Sequence, residues 1–280
     1  MICYHENQFL EDYDAKASIY DKGFNFGYGV YEVILVHNGI LVNIFKHIDR
    51  IYESAKFIDI IHLPDKSELM DYISRVVHLN RLRFGSIYIQ ITYGRAEYRN
   101  YNAITNQPSI TITAQPEQPI GSNKITAMFY QDMRHGYRNI KSISLLPNVL
   151  LKKRAQKNGF DEIIMYDKHS NYVTECTSSN LFVVNHDQTV ITPPDNGNIV
   201  PGITRNTVID LFRQNNISVV EREITTQEVN DAIELFTTAS ITKISSIVKI
   251  GDIVKQSGSI TDTACKLYGS FLENYDSQQA

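Results

Sequence analysis

The strongest constraint on the fold is a break near the middle of this 280-residue chain, Gln115-Pro116-Glu117-Gln118-Pro119-Ile120-Gly121-Ser122. Proline fixes φ and removes a backbone donor, and glycine adds freedom, so no helix or central strand runs through such a stretch. The length allows one large domain or two ordinary ones. The break favours two: an N-terminal α/β domain over 1–115, a linker over 116–122 and a second domain over 123–280.

Patterning on either side sets the fold class. In the first half, Val30 to Val36 is a β-branched run, and Asn38-Gly39 after it signals a hairpin that returns through Ile40-Leu41-Val42. From His47, the residues Ile48, Ile51, Tyr52, Ala55 and Ile58 recur at helical spacing. A second helix carries Leu69, Tyr72, Ile73, Val76 and Leu79, with Ser67 as its expected cap. Ser86 to Thr92 alternates isoleucines with Tyr88, Gln90 and Thr92, the pattern of a half-buried strand, and Ser109 to Ala114 is another. The second half predicts strands at 125–130, 162–166, 181–184, 190–192, 218–220, 234–237 and 247–250. Its helices are expected at 147–158, 205–215 and 261–275. Strands and helices mix without strict alternation, so the expected class is α+β rather than a doubly wound sheet.

Composition excludes several functions. Twenty-seven basic and 31 acidic side chains are well mixed, with a net charge of −4 and no basic stripe, so no nucleic-acid partner is expected. No apolar run reaches the roughly 18 residues of a membrane span. The first residues lack a signal peptide's basic start and apolar core. Three widely separated cysteines, Cys3, Cys176 and Cys265, form no disulfide framework, which points to a reducing cytoplasm. Asn216-Ile217-Ser218 matches a glycosylation sequon and is read as chance.

Candidate chemistry gathers in a few segments. Lys141 sits in apolar surroundings, Ile140-Lys141-Ser142-Ile143-Ser144-Leu145-Leu146, where desolvation favours the neutral amine that Schiff-base chemistry needs. A snorkelling surface lysine is the competing reading. Glu175 precedes Cys176-Thr177-Ser178-Ser179-Asn180: either a carboxylate for a pyridine nitrogen with hydroxyls and an amide beside it, or an ordinary Ser/Asn-rich turn. Pro201-Gly202-Ile203-Thr204-Arg205 opens a helix whose start suits a phosphate, unless Thr204 is simply its cap. Arg50 lies beside the apolar stripe of its helix, as a phosphate partner or a surface arginine. Thr237, Thr238, Ala239, Ser240 and Thr242 read as a second hydroxyl-rich turn after a strand at 234–236. Metal spacing, Cys-x-x-Cys, a nucleophile elbow and a dinucleotide fingerprint are all missing from the sequence.

Read together, these segments resemble the class IV, fold-type IV pyridoxal phosphate enzymes. The resemblance rests on Phe26-Gly27-Tyr28-Gly29-Val30-Tyr31-Glu32-Val33, His47-Ile48-Asp49-Arg50-Ile51-Tyr52, Ile140-Lys141-Ser142, Val173 to Phe182, Pro201 to Arg205 and Glu234 to Ser240, in the family's order. It implies a two-domain α+β fold with mixed sheets, barrel-like in the C-terminal, cofactor-binding domain and flanked by helices. It implies pyridoxal 5'-phosphate, with Lys141 as the Schiff-base lysine and Glu175 at the ring nitrogen. Arg50, Ser179, Asn180, Gly202, Ile203, Thr204 and Ser240 complete the implied cofactor contacts. Tyr31, Val33, Arg99 and Tyr101 are the implied substrate contacts, and a homodimer with shared sites is the implied assembly. The Gly29-Val30-Tyr31-Glu32-Val33 form is most similar to the D-amino acid aminotransferases. One departure stands out: where those enzymes carry Arg-x-His, the loop reads Gly94-Arg95-Ala96-Glu97-Tyr98-Arg99-Asn100-Tyr101. That keeps an aminodeoxychorismate lyase, cleaving out pyruvate, and a branched-chain aminotransferase as alternatives.

Overall fold

The computed structural model describes residues 1–102, 104, 107–118 and 123–279. Two compact units divide the chain, one of Met1–Pro119 with Ile140–Ser144, the other of Ile120–Asn139 with Leu145–Ala280. Of the expected linker over 116–122, residues 119–122 lie outside the described residues.

The first unit contains β1 (Ile2–His5), β2 (Gln8–Glu11), α1 (Lys22–Phe26), β3 (Gly29–His37), β4 (Ile40–Leu41), α2 (Ile44–Phe57), α3 (Lys66–Leu79), β5 (Gly85–Thr92) and β6 (Ser109–Pro116). Among the described residues its strands form one six-stranded antiparallel sheet in the order β2-β1-β6-β5-β3-β4. Asn38 and Gly39 both take positive φ, 51° and 85°, as a two-residue hairpin requires, and His37 pairs with Ile40. Period-2 alternation sorts β3 and β5. Ile34, Ile87, Ile89 and Ile91 are fully buried in one core with Ile48, Ile51 and Ala55 of α2 and Leu69, Ile73 and Val76 of α3. Tyr31 and Val33 alternate onto the other face, half-buried, paired with Gln90 and Tyr88. The core-facing set has one polar member, Glu32, which is also fully buried. Helix α3 starts earlier than expected, with Asp65 rather than Ser67 at its N-cap.

The second unit contains β7 (Lys124–Gln131), α4 (Leu146–Lys157), β8 (Glu162–Tyr166), β9 (Val173–Cys176), β10 (Asn180–Val184), β11 (Val190–Thr192), α5 (Ile203–Gln214), β12 (Val219–Glu221), α6 (Thr226–Asp231), β13 (Glu234–Ala239), β14 (Lys243–Ile250), β15 (Ile253–Val254) and α7 (Ser259–Gln279). Its described strands make a nine-stranded mixed sheet, β12-β11-β10-β13-β14-β7-β8-β9, with β15 on β14. The β7–β8, β7–β14 and β11–β12 pairs are parallel. β10 is buried along its whole length because both its faces are covered. On one face Leu181, Val183, Leu235 and Ile247 share a core; on the other Phe182 stacks on Phe236 at 4.8 Å, and Phe212 of α5 meets Phe236 edge-on. β1, β2, α1, β9, α6 and β15 were not expected. α6 had a readable signal, since Thr225 and Glu228 form a capping box. The segment read as a hydroxyl-rich turn at 237–242 is a correction: β13 continues to Ala239, burying Thr237 and Thr238, and the turn begins at Ser240.

Candidate active site

In the first unit, Ile140–Ser144 is fastened to the start of β3. Tyr31 N donates to Lys141 O at 3.0 Å, Ile143 N donates to Gly29 O at 3.1 Å, and Ser142 bridges Val30. A side chain at Gly29 would meet Ile91 O at 2.6 Å and Ile143 Cδ1 at 2.9 Å, so glycine is what lets the segment approach. Lys141 Nζ consequently lies 3.5 Å from the Tyr31 hydroxyl and 4.4 Å from its ring centre, both residues half-buried. Lys141 is therefore neither a solvated surface lysine nor at a strand end.

Beneath that face lies a buried charge cluster. Glu32 accepts from Arg50 through both oxygens, Nε at 2.6 Å and Nη2 at 2.9 Å, and its Oε2 lies 2.7 Å from His47 Nδ1. The Arg50 side chain is 11% exposed, so it is an anchored arginine, not a surface one. Burial would raise the Glu32 carboxyl, but Arg50 and His47 outweigh it and hold the group well below the usual carboxylate range. Burial lowers His47 below its ordinary value, with the Arg50 and Lys141 charges helping and Glu32 opposing.

Those directions predict how stability follows pH. A histidine whose folded pKa is depressed binds its proton more readily when unfolded, so stability is held above about pH 6.5 and falls as pH drops below it. Glu32 works lower: its contribution is present above about pH 4.3 and is lost as pH falls through its depressed folded value. The urea midpoint should be level from pH 8 to 7 and fall between pH 6.5 and 5, with a weaker fall in His47→Gln. A midpoint equally flat over pH 7–5 in both proteins would contradict this.

Arg99 and Tyr101 are exposed; Arg99 lies over Phe26 at 4.8 Å, and the Tyr101 ring meets Phe26 at 4.7 Å. The Tyr101 carbonyl accepts from the buried Lys22 Nζ at 3.0 Å, which ties this loop to α1.

In the second unit, Glu175 sits buried in β9. Arg134 Nη1 donates to its Oε1 in a short ion pair. Asn180 Nδ2 donates to Oε2 at 2.9 Å, and Val200 N lies 3.2 and 3.3 Å from the two oxygens. Asn180 also donates to Val200 O at 3.0 Å, linking β10 to the strand of chain that enters α5. A Cβ on Gly202 would lie 1.9 Å from Asn180 Oδ1, so only glycine fits there. Burial would lower Arg134, yet Glu175 and Asp132 raise it well above its ordinary value and keep the guanidinium charged.

The remaining predicted residues divide. Thr177 and Ser178 are held by Glu162, with Lys152 on the same carboxylate at 3.0 Å, so these hydroxyls serve the turn. Ser179 is half-buried and its carbonyl accepts from Cys176 N at 2.9 Å, closing that turn. The N-cap of α5 is Gly202, which supplies no side-chain cap; Thr204 lies inside the helix, where its hydroxyl hydrogen-bonds Tyr268. Ile203 and Thr204 are buried at the helix start, and Ser240 is half-buried in the turn after β13. Arg205 is structural, buried against Glu221 and Pro193 O.

These features fit a phosphorylated pyridine aldehyde. Glu175 accepts from Arg134 Nη1, Asn180 Nδ2 and Val200 N, a carboxylate arrangement that suits a protonated ring nitrogen. The first turn of α5 lacks a side-chain cap, leaving the dipole and amides of a helix start to face an anion. Thr238 Oγ1, opposite Asn180 in the β10–β13 ladder, and Ser246 Oγ are buried without a hydrogen-bond partner. No group of metal-ligating residues occurs among the described residues. Sequence reading missed Glu32 and Arg134 as partners. Glu32 was visible as a lone acid on a β-branched strand opposite a His-x-x-Arg helix; Arg134 lies in a loop with no periodicity and left no signal.

Comparison with known proteins identifies the family. The amino-transferase class IV family model matches residues 29–250. The D-alanine aminotransferase of Bacillus licheniformis is 35% identical over 248 residues, 86% of this chain and 85% of that protein. A putative branched-chain-amino-acid aminotransferase of Methanocaldococcus jannaschii is 33% identical over 269 residues, 93% of each. Among solved structures, a hypothetical aminotransferase from Mycobacterium tuberculosis in PLP-bound form superposes with a TM-score of 0.87 at 16% identity, over 96% of this chain and 98% of that one. A putative 4-amino-4-deoxychorismate lyase from Legionella pneumophila gives 0.86 at 22% identity, over 92% and 96%. Both share this chain's fold.

Proposed function

The chain belongs to the class IV aminotransferases, and on that premise we propose that it transfers the amino group of a D-amino acid, of the D-alanine type, to a 2-oxo acid using pyridoxal phosphate. The observation that carries the reading is Lys141 Nζ set against the Tyr31 hydroxyl on a half-buried sheet face. Bound pyridoxal phosphate supplies an electron sink for the carbanion left when the substrate α-proton departs. Lys141 would hold the cofactor through its amine, and its Nζ would take that α-proton and return it. Glu175 accepts from the ring nitrogen. Arg50, the Gly202-Ile203-Thr204 stretch at the start of α5 and Ser240 hold the phosphate, with Ser179 and Asn180 beside them.

Tyr31, Val33, Arg99 and Tyr101 receive the substrate. In this reading residues 123–280 form the cofactor-binding domain and 1–115 the domain that adds Arg50 and the substrate contacts. The enzyme works as a homodimer in the cytoplasm, with the 95–101 loop serving the partner's site. The D-alanine aminotransferase relative supports the choice of amino acid. Adding D-alanine, L-leucine and L-glutamate separately to the holoenzyme tests it: D-alanine should bleach the cofactor's visible absorbance, and bleaching by L-leucine alone would assign the branched-chain reaction instead. The tyrosine in Arg99-Asn100-Tyr101 favours the lyase as second reading. Release of pyruvate from aminodeoxychorismate without any 2-oxo acid acceptor would establish it.

A further inference from the structure

We propose that Asp132 is the positioning residue that aims Arg134 at Glu175 and balances its charge. This rests on Glu175 being the partner of the ring nitrogen. The Asp132 side chain is fully buried, at 0% exposure, just past the end of β7. Arg134 wraps back onto it: backbone N at 3.0 Å and Nε at 3.1 Å donate to Oδ1, and Nη2 at 2.8 Å donates to Oδ2. A guanidinium is planar and rigid, so occupying Nε and Nη2 leaves Nη1 one direction, and that direction is Glu175. Thr174 Oγ1, from the residue before Glu175, donates to Asp132 Oδ2 at 2.9 Å. Arg138 Nε stands 3.4 Å from the same oxygen and its Nη2 3.5 Å from Asp167, which is 30% exposed.

The charges alternate along this chain, Asp167, Arg138, Asp132, Arg134, Glu175, and leave one net negative charge. That balance matters for Glu175. An arginine facing it alone would neutralise the carboxylate and weaken its hold on a protonated ring nitrogen. Because Asp132 shares Arg134, Glu175 is oriented by a cation without surrendering its charge to it. The carboxyl of Asp132 is itself held below its ordinary value: burial pushes it up, and its Arg134 and Arg138 contacts more than offset this.

The test uses Asp132→Asn, Glu175→Gln and the double variant, measuring pyridoxal phosphate affinity of the apoprotein, the pH titration of the holoenzyme's visible band, and kcat. Asp132→Asn should lower cofactor affinity and kcat each by about ten- to a hundredfold, since misorienting a group that touches the cofactor costs on that scale, and it should shift the pH midpoint of the band. A residue acting through Glu175 has nothing left to do once Glu175 is gone, so the double variant should be no worse than Glu175→Gln. Losses that multiply in the double variant, or an Asp132→Asn protein with unchanged affinity and kcat, overturn the proposal. Should Asp132→Asn not fold, Thr174→Val decides: it should lower cofactor affinity by about threefold in the wild-type background only, and no change there overturns the proposal. Glu175→Gln that alters neither band nor affinity removes the premise itself, which separates that failure from the others.

Discussion

Lys141→Ala should eliminate the visible absorbance of the holoenzyme's cofactor and reduce turnover by about 10⁴-fold or more. A positioned general base alone contributes about 10²–10⁴-fold, and in the proposed reading the same amine also carries the cofactor. The variant should fold normally, because Lys141 is tied to β3 through its backbone carbonyl and the neighbouring Ser142 bridge, neither of which involves Nζ. Melting temperature and sheet content should therefore match wild type while activity disappears. The control that makes the result specific is Tyr31→Phe, which removes the hydroxyl 3.5 Å from Nζ and keeps the ring under it. It should retain the visible band and lose only part of kcat/KM. Substantial turnover by Lys141→Ala would refute the assignment of the base.

Glu32→Gln should be the most destabilising conservative change in the first unit. The amide keeps the shape but cannot match the charge of Arg50 or both of its donors, and breaking a buried ion pair on one side costs about 3–5 kcal/mol. Glu32 is fully buried, the Arg50 side chain is 11% exposed and the His47 side chain 3%, so water cannot rescue the cation. Chemical denaturation of the apoprotein reads the loss directly. Arg50 should also lose its fixed direction, so, with Arg50 as the proposed phosphate contact, cofactor affinity should drop along with stability. Glu32→Leu is the informative companion, because an apolar isostere relieves nothing for Arg50 and should be at least as damaging. Near wild-type stability in both variants would show that the cluster is dispensable.

Much of this arrangement was legible in the residues. The β-branched run at 30–36 with Asn38-Gly39, the isoleucine alternation at 87–91 and the helical stripe from Ile48 to Ile58 each declared an element, because period and turn chemistry are local. The segments around Lys141, Glu175 and Gly202 carry the cofactor reading only jointly, since a single lysine, acid or glycine is more often mundane. β9 escaped because Val173-Thr174-Glu175-Cys176 is buried on every side and so shows no alternation. The turn expected at 237–242 was misread for a related reason: hydroxyls inside a central strand look like loop residues until the strands beside them are known. Exposed Arg99 and Tyr101 both pack on Phe26 of α1, a contact across the fold that no local pattern encodes.

The sequence by itself determined most of the element types, the α+β class and the residue types a phosphorylated pyridine aldehyde needs, because propensity, periodicity and side-chain chemistry belong to the chain. Only the tertiary structure decided the partners. It placed Glu32 under Arg50 and His47, wrapped Arg134 between Asp132 and Glu175, and packed Gly202 on Asn180. Apart from Asp132 and Arg134, two positions apart in one loop, those pairings join residues 15 to 41 positions apart on different elements, and a charge is held in place by whatever folding brings within hydrogen-bond distance while excluding water. No local pattern encodes that distance, so the protonation and aim of each group become readable only once the sheets and helices have closed around them.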